Sequence, residues 1–553
     1  MPRDGEKMIS ALPRTTSEYS SRVSWAMALL MVGTVAVRLA DPTGWLGSDD
    51  AAYHAAAEHI LAGESFHRIH HQYGRMAMIV PVAASMWVFG DNPFSVALPS
   101  LIASTGCVAL VVLLGRFIWG WWEGLFAGAA VSVLPFFRML STTAYPDVHA
   151  CFWAALAFVL ALLAARSPNR RWAVAAGVGC GLAAGLAMSA KILAGSMVIG
   201  LIWIVWTRCS DRRSRIVSCA CMAVGALLYV LLDGLFYLWA ADDFFYKLHA
   251  LSSSQGNPSL FGVTTDPAAL RVTVWERLAM LLQGGRSEWG WIGVAFWPSA
   301  FAVLLFNRAG RGLAVWAITG YLMIAFLPVR FVDGPAPYPF FDGRAILTTC
   351  VPFALCFAWA VRQGFDGFLP SRWAQRGRLI AVATLVLVAL PYPPSLNGFR
   401  DRQTQRIGMA IQHLIVTARW EDDRDIFVTP SMYVRFALLF PPELRSRLRI
   451  AIDDDSPDWW RWAAVDIKRR RAPLPPPDQA CLIVTPSQLR GRAEFWDYGI
   501  TLPRTSLKAW RRTTPLARIA RYADKTIAPM RANSGDDEEL LLLIADTTKD
   551  SPT

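Results

Sequence analysis

Apolar residues fill most of this chain in blocks about as long as a bilayer core requires, separated by short polar breaks. The blocks predict about 11 membrane helices, over residues 24–40, 93–114, 122–140, 148–165, 172–189, 192–207, 216–238, 289–306, 312–328, 344–361 and 379–393. Residues 76–89 form a further apolar run that is too short to span, and they predict a re-entrant or interfacial helix. After residue 395 the pattern changes. Short runs such as Asp425–Val428, Cys481–Val484 and Leu540–Ile544 read as strands between helical stretches, which predicts a small mixed α/β domain over 396–553. Pro473, Pro475, Pro476 and Pro477 mark a loop there, and the tail after Ala545 reads as disordered. There is no convincing internal repeat.

Residues 47–75, straight after the first span, are the most informative polar stretch. Ser48 suits an N-cap, and Asp49 and Asp50 in the next turn suit the positive end of a helix dipole. Tyr53, Ala56, Ala57, Ile60 and Leu61 recur at helical spacing, with Gly63 as the stop, so the pattern predicts an amphipathic helix against the membrane surface. Capping alone accounts for a pair of acids at a helix start; the rest of the chain gives them a second reading.

Composition agrees with a polytopic membrane protein: of 553 residues 54% are hydrophobic, mean hydropathy is +0.33, and 24 are Trp. The net charge of +12 sits in clusters between apolar spans, which argues against nucleic acid as a partner and makes topology readable instead. Arg3, Lys7, Arg14 and Arg22 place the tail, residues 1–23, in the cytoplasm ahead of an uncleaved first helix. Counting spans from there puts Arg166, Arg170 and Arg171, then Arg208, Arg212, Arg213 and Arg215, then Arg308 and Arg311, then Arg362, Arg372, Arg376 and Arg378 on that same side. The C-terminal domain then lies outside. Most of the nine Cys fall within apolar spans, so neither a secreted disulfide framework nor a metal-type Cys pair is visible.

This topology collects the 41–92 loop, the Tyr145–Asp147 turn, the Ser189–Lys191 turn, and the loops 239–288 and 329–343 on the outer face. The acids there are Asp49, Asp50 and Asp147, with Asp242, Asp243, Asp333 and Asp342 as weaker candidates; the bases are Arg75, Lys191, Arg286 and Arg344. Cations at outer helix ends run against the positive-inside bias, so each needs an anion, either a loop carboxylate or a lipid phosphate. Asp233, near the outer end of its span, lines the same region or only approaches water. His54 and Glu58, four apart on a helix, with His67, His70 and His71 nearby, suit a divalent metal by type, but no metalloprotease pattern accompanies them. The chain has neither a Gly-rich phosphate loop nor a nucleophile elbow.

The order of these motifs resembles the GT-C membrane glycosyltransferases, in particular the family 39 and RgtA/B/C/D-like group that includes protein mannosyltransferases and lipid A aminoarabinose transferases. The resemblance rests on Asp49-Asp50-x-x-Tyr53 after the first span, the spacing of Ala57, Leu61 and Gly63, and the Val88-Phe89-Gly90-Asp91 helix end. It continues in Tyr145-Pro146-Asp147 and in Gly185-Leu186-Ala187 followed by Ser189-Ala190-Lys191. It covers residues 24–210, is looser to 395, and stops there. Two departures stand out: Gly74-Arg75-Met76 lies where many members carry Pro-Pro, and Ala97 where an Arg often precedes Leu-Pro-Ser.

The resemblance implies a catalytic membrane domain over 24–395, with Asp49 as general base, Asp50 beside it and Asp147 as the second-loop acid. It also implies Lys191, Arg344 and, less directly, Arg75 as cations for the donor phosphate, with Tyr53, His54 and Tyr145 near the cavity. The donor would be a polyprenyl-phosphate sugar, and the acceptor an extracytoplasmic glycan, lipid or protein. Transfer would invert the anomeric carbon with no obligatory cofactor or metal, in a bacterial plasma membrane. A transporter or flippase of a lipid-linked substrate would use the same charges without chemistry, and a non-catalytic scaffold would leave the acids unexplained.

Overall fold

The computed structural model describes residues 17–40, 42–43, 49–66, 72–209, 211–255, 291–326, 328–330, 336–337, 347–368, 370, 373, 376–377, 380, 425–428, 445, 447–451, 471–472, 480–484, 526–530 and 540–544. Helices dominate. In order they are α1 (Ser17–Ala40), α2 (Asp49–Ala62), α3 (Met76–Phe89), α4 (Pro93–Ile118), α5 (Trp121–Val133), α6 (Pro135–Leu140), α7 (Pro146–Arg166), α8 (Arg170–Ala190), α9 (Met197–Arg208), α10 (Arg212–Ala241), α11 (Tyr246–Gln255), α12 (Trp291–Phe306), α13 (Arg311–Phe326) and α14 (Cys350–Phe368). Four of them, α4, α7, α8 and α10, are long and apolar enough to cross a membrane. Apart from Ile380, the expected span 379–393 lies outside the described residues, as do Ser48, the Pro-rich 473–477 loop and the tail after Ala545.

Helix ends follow the sequence chemistry. Asn92 caps α4 by accepting from the Ser95 amide at 2.9 Å, and the Ser95 hydroxyl accepts from the Asn92 amide in return, a reciprocal box. Asp211 caps α10 through the Ser214 amide at 2.8 Å. Gly63, at φ +65°, ends α2 where the pattern expects a stop. The expected single helix over 122–140 is two: α5 ends at Val133 and α6 starts at Pro135, with Leu134 extended between them. Pro135 disfavours helical backbone at the residue before it and cannot continue the hydrogen-bond ladder, so the helix must restart there. The expected span 192–207 likewise opens as a 3₁₀ turn, Ile192–Ser196, before α9.

The interior is built around α7, which packs against α4, α8 and α9 and buries Val148, Cys151, Ala154, Phe158, Ala161 and Leu162. Phe158 stacks on Trp316 of α13 with centroids 4.4 Å apart. The tightest crossing is α8 on α10. A Cβ on Gly181 would stand 2.7 Å from the Ala226 amide nitrogen, one on Gly177 2.8 Å from Cys221 Cβ, and one on Gly225 2.9 Å from the Leu182 nitrogen. Gly177, Gly181 and Gly185 are four residues apart, a small-residue seam of the kind that lets helix backbones meet in lipid. On its other side α10 exposes Leu227, Val230, Leu231, Leu235 and Trp239, as a lipid-facing surface should.

Contacts between helix ends check the expected sidedness. Arg166 donates to the Phe117 carbonyl at 2.7 Å, Arg208 to the Ala309 carbonyl at 2.8 Å, and Trp119 to Asn307 Oδ1 at 3.1 Å, while Arg362 pairs with buried Glu123. The basic ends of α7, α9 and α14 therefore gather with the 117–123 and 307–311 turns at one end of the bundle. The Tyr145–Asp147 and Ser189–Lys191 turns lie at the opposite end, because they begin α7 and finish α8.

Beyond the helices the described strands form a six-stranded mixed sheet in the order β5-β4-β3-β6-β8-β7. The strands are β3 (Asp425–Val428), β4 (Leu448–Ala451), β5 (Arg471–Ala472), β6 (Ala480–Val484), β7 (Thr526–Met530) and β8 (Leu540–Ile544), following the short hairpin β1 (Pro328–Arg330) and β2 (Ala336–Pro337). β3 pairs parallel with both β4 and β6, whereas β8 runs antiparallel to β6 and β7. The three expected strands are present as β3, β6 and β8.

Candidate functional site

Asp49 and Asp50 open α2, where unpaired amides and the helix dipole favour carboxylates. Their environments differ. Asp50 is fully buried, while Asp49 is half-buried and accepts from the Gln72 side-chain amide at 2.7 Å. A general base must first be reachable by the proton it takes, and of the two carboxylates only Asp49 keeps a surface that an acceptor hydroxyl can approach.

Arg75 stands at the entry to α3. Its guanidinium donates to the Tyr53 hydroxyl and lies over the same ring, 5.5 Å from the centroid. The backbone around it is pinned from α10: the Tyr237 hydroxyl donates to the Tyr73 carbonyl at 2.9 Å and accepts from the Met76 amide at 3.1 Å. Tyr237 stacks on Tyr246 at 5.0 Å, and Phe66 packs edge-on to Tyr73 at 5.0 Å, so an aromatic cluster holds Phe66 and Tyr73 to α10 and α11. One residue on, the Ala77 amide donates to the Ser189 hydroxyl at 3.4 Å, joining the start of α3 to the end of α8.

That contact brings the Arg75 segment beside the third element. Lys191, the residue after α8, donates to Asp147 in the first turn of α7. Asp147 is fully buried and Lys191 13% exposed, so the pair is a charge-compensated couple at the end of the bundle opposite the arginine-rich one. The Thr43 amide donates to Thr142 Oγ1 at 2.8 Å and ties the chain leaving α1 to the same turn. Replacing Lys191 by Ala is expected to cost roughly 3–5 kcal/mol, because Asp147 loses its ion-pair partner in a buried position. Asp147→Asn combined with Lys191→Met should recover most of that in thermal unfolding measured in detergent.

The structure joins Asp233, expected near this region, to two residues the sequence pattern did not mark, Tyr229 and Lys247. Lys247 of α11 donates to the Tyr229 hydroxyl at 3.2 Å, Tyr229 donates to Asp233 at 2.6 Å, and Lys247 lies 4.0 Å from Asp233. Burial lowers the Lys247 pKa, Asp233 opposes the shift, and Arg75 is close enough to add to it. Tyr229 and Asp233 are four apart on one face of α10, which is the signal that could have joined them; nothing local marks Gln72 or Lys247.

The remaining candidates divide. Tyr145 is buried in the main apolar core, its amide donating to the Thr143 carbonyl at 2.9 Å. His54 meets Glu58, at 3.7 Å, and Asp91, at 2.7 Å. Burial alone would lower the His54 pKa; Glu58 and the Asp91 hydrogen bond outweigh it and hold the imidazole above its ordinary value. Asp242 ends α10 in a left-handed turn at φ 53°, and Asp243 pairs with exposed His249 at 2.7 Å. Arg344, Arg286, Asp333, Asp342, His67, His70 and His71 lie outside the described residues.

Residues 81–233 match the family model described as dolichyl-phosphate-mannose-protein mannosyltransferase. The fold is similar to ArnT from Cupriavidus metallidurans in the apo state, with a TM-score of 0.54 at 11% identity over 95% of this chain and 98% of that one. The same protein bound to undecaprenyl phosphate gives 0.53 at 11% identity over 96% of this chain and 98% of that one. The archaeal oligosaccharyltransferase AglB from Archaeoglobus fulgidus, in complex with an inhibitory peptide and a dolichol-phosphate, aligns more loosely, at 0.42 and 12% identity over 78% of this chain and 65% of that one. No curated protein matches the chain.

Proposed function

We propose that this chain, which carries the fold of the GT-C superfamily of membrane glycosyltransferases, moves a sugar from a polyprenyl-phosphate donor to an acceptor hydroxyl at the outer-loop end of its helical bundle. The observation that carries the reading is the convergence there of three kinds of group from separate segments. They are a water-accessible carboxylate oriented by Gln72, an arginine braced by Tyr53, and the Lys191–Asp147 couple.

In the step proposed, the acceptor oxygen attacks the anomeric carbon while the bond from that carbon to the phosphate oxygen breaks. Asp49 takes the acceptor proton, and the electron pair of the broken bond leaves on the polyprenyl phosphate. A positioned carboxylate contributes about 10²- to 10⁴-fold in such a step. Lys191 has three N–H donors, so it can hold Asp147 and still donate to a phosphate, and Arg75 presents a fork suited to two phosphate oxygens. Arg344 and Lys247 would add charge to the same leaving group. An ArnT structure holding undecaprenyl phosphate supports a polyprenyl phosphate as the carrier that leaves. The C-terminal sheet would stand on the acceptor side, in the extracytoplasmic space. No metal is needed for a leaving group that protein cations neutralise.

The test is transfer from a panel of radiolabelled polyprenyl-phosphate sugars to endogenous acceptors, in membranes carrying the wild-type chain. Label appearing in an acceptor fraction, with release of polyprenyl phosphate, is the expected result. If no donor is consumed while a lipid-linked substrate still crosses the membrane, the transport reading replaces this one.

A further inference from the structure

His54, Glu58 and Asp91 take no part in the transfer step, yet they converge. His54 and Glu58 lie one helical turn apart on α2, with Nε2 to Oε1 at 3.7 Å. Asp91 arrives from a different segment, the tight turn between α3 and α4. That turn is fixed on one side by Gly90 at φ +78° and on the other by the Asn92–Ser95 capping box. Its Oδ1 lies 2.7 Å from the same Nε2, and the three donor atoms all fall within 4.8 Å of one another. No other such group of three occurs among the described residues.

We propose that these residues form a divalent-metal site of zinc type, separate from the transfer centre. Bonds of about 2.0–2.2 Å from one nitrogen and two carboxylate oxygens to a tetrahedral ion place the donors roughly 3.3–3.6 Å apart, so His54 and Asp91, at 2.7 Å, would open by under an ångström and His54 and Glu58, at 3.7 Å, would barely move. One imidazole with two carboxylates favours zinc over calcium or magnesium, which prefer all-oxygen shells. The His54 side chain is 12% exposed while Glu58 and Asp91 are each about a third exposed, so the ring is held and the mouth stays open to a water as fourth ligand. Arg445, beside β4, takes the second oxygen of Asp91. This leaves Oδ1 directed at His54 and orients the carboxylate from behind, as outer partners of metal ligands commonly do. The ion would clasp α2, which carries Asp49 at its start, to the turn that opens α4.

The site is tested by zinc uptake, on full-length protein purified through a tag without histidine, stripped with chelator and dialysed against zinc. The expected result is one zinc per chain beyond that held by His54→Ala, with affinity lowered at least tenfold in Glu58→Gln. Glu58→Gln keeps the His54–Asp91 contact and so decides the matter if His54→Ala fails to fold. His249→Ala, which removes the exposed two-membered His249–Asp243 pair, should bind as the wild type does. Equal uptake by wild type and Glu58→Gln, or a loss in His249→Ala as large as in His54→Ala, would overturn the proposal. The result is independent of any transfer assay, so its failure and that of the glycosyltransferase reading are distinguishable.

Discussion

Asp49→Asn is expected to lower sugar transfer about 10²- to 10⁴-fold with the folded yield unchanged. The amide keeps the shape of the carboxylate and still accepts from Gln72, so the helix start and the α2–loop contact survive. What is lost is the ability to take a proton, and the loss should appear in kcat more than in the KM for donor. Gln72→Ala should lose less, about tenfold, since one hydrogen bond to a charged group orients the base without replacing it. Asp50→Asn is the discriminating companion. Asp50 is sealed from water, so its exchange should disturb folding before rate. Normal folding with transfer lost in Asp50→Asn but not in Asp49→Asn would move the base by one residue.

Gly181→Val is expected to remove most folded protein from the membrane. Its first side-chain carbon would stand 2.7 Å from the Ala226 nitrogen and 2.8 Å from the Met222 carbonyl carbon, which are backbone atoms that no rotamer change can move aside. α8 and α10 would have to separate along a seam that also includes Gly177, Gly185 and Gly225, at a cost of about 3 kcal/mol or more. The displaced end of α8 carries Ser189 and Lys191, so any protein that survives should also transfer poorly. Gly33→Ala is the control: a Cβ at Gly33 on α1 meets nothing within 4 Å, and the exchange should be neutral or slightly stabilising. Thermal unfolding monitored by size-exclusion chromatography in detergent separates the two.

Much of this arrangement was legible from residue pattern because lipid imposes a coarse grammar. Long apolar blocks became helices near the expected boundaries, and the clusters of arginine marked the ends that gather together. The short 76–89 run became α3 with the bounds expected of it. The acids at the start of α2 and the Lys191 turn were visible because each is a polar interruption at a helix end. What escaped depends on distance in three dimensions. Gln72 has no local feature that ties it to Asp49, and Lys247 meets Tyr229 only because α11 folds back along α10. The break at Leu134 was hidden by a run that is apolar on both sides of Pro135, although the proline itself was the clue. β4, β5 and β7 do not announce themselves: Leu448–Ala451 includes Arg449, Arg471–Ala472 is two residues long, and Thr526–Met530 contains Pro529. Their place is set by pairing partners, as at Ile426 opposite both Leu448 and Cys481.

On the proposed function, the Lys191–Asp147 couple would meet a problem of numbers that any enzyme fed by a lipid carrier must solve. Ordinary anionic phospholipids vastly outnumber the carrier in the surrounding leaflet, and a bare lysine at the rim would spend its time among them. Lys191 is already neutralised by a buried carboxylate, so a phosphodiester headgroup gains little by approaching it. The carrier's phosphate gains most as it departs with the extra negative charge of the broken sugar bond. On the proposed function, selectivity against the lipid matrix would be built into the resting state, where a couple that is silent toward the crowd would answer the one phosphate whose charge grows during reaction.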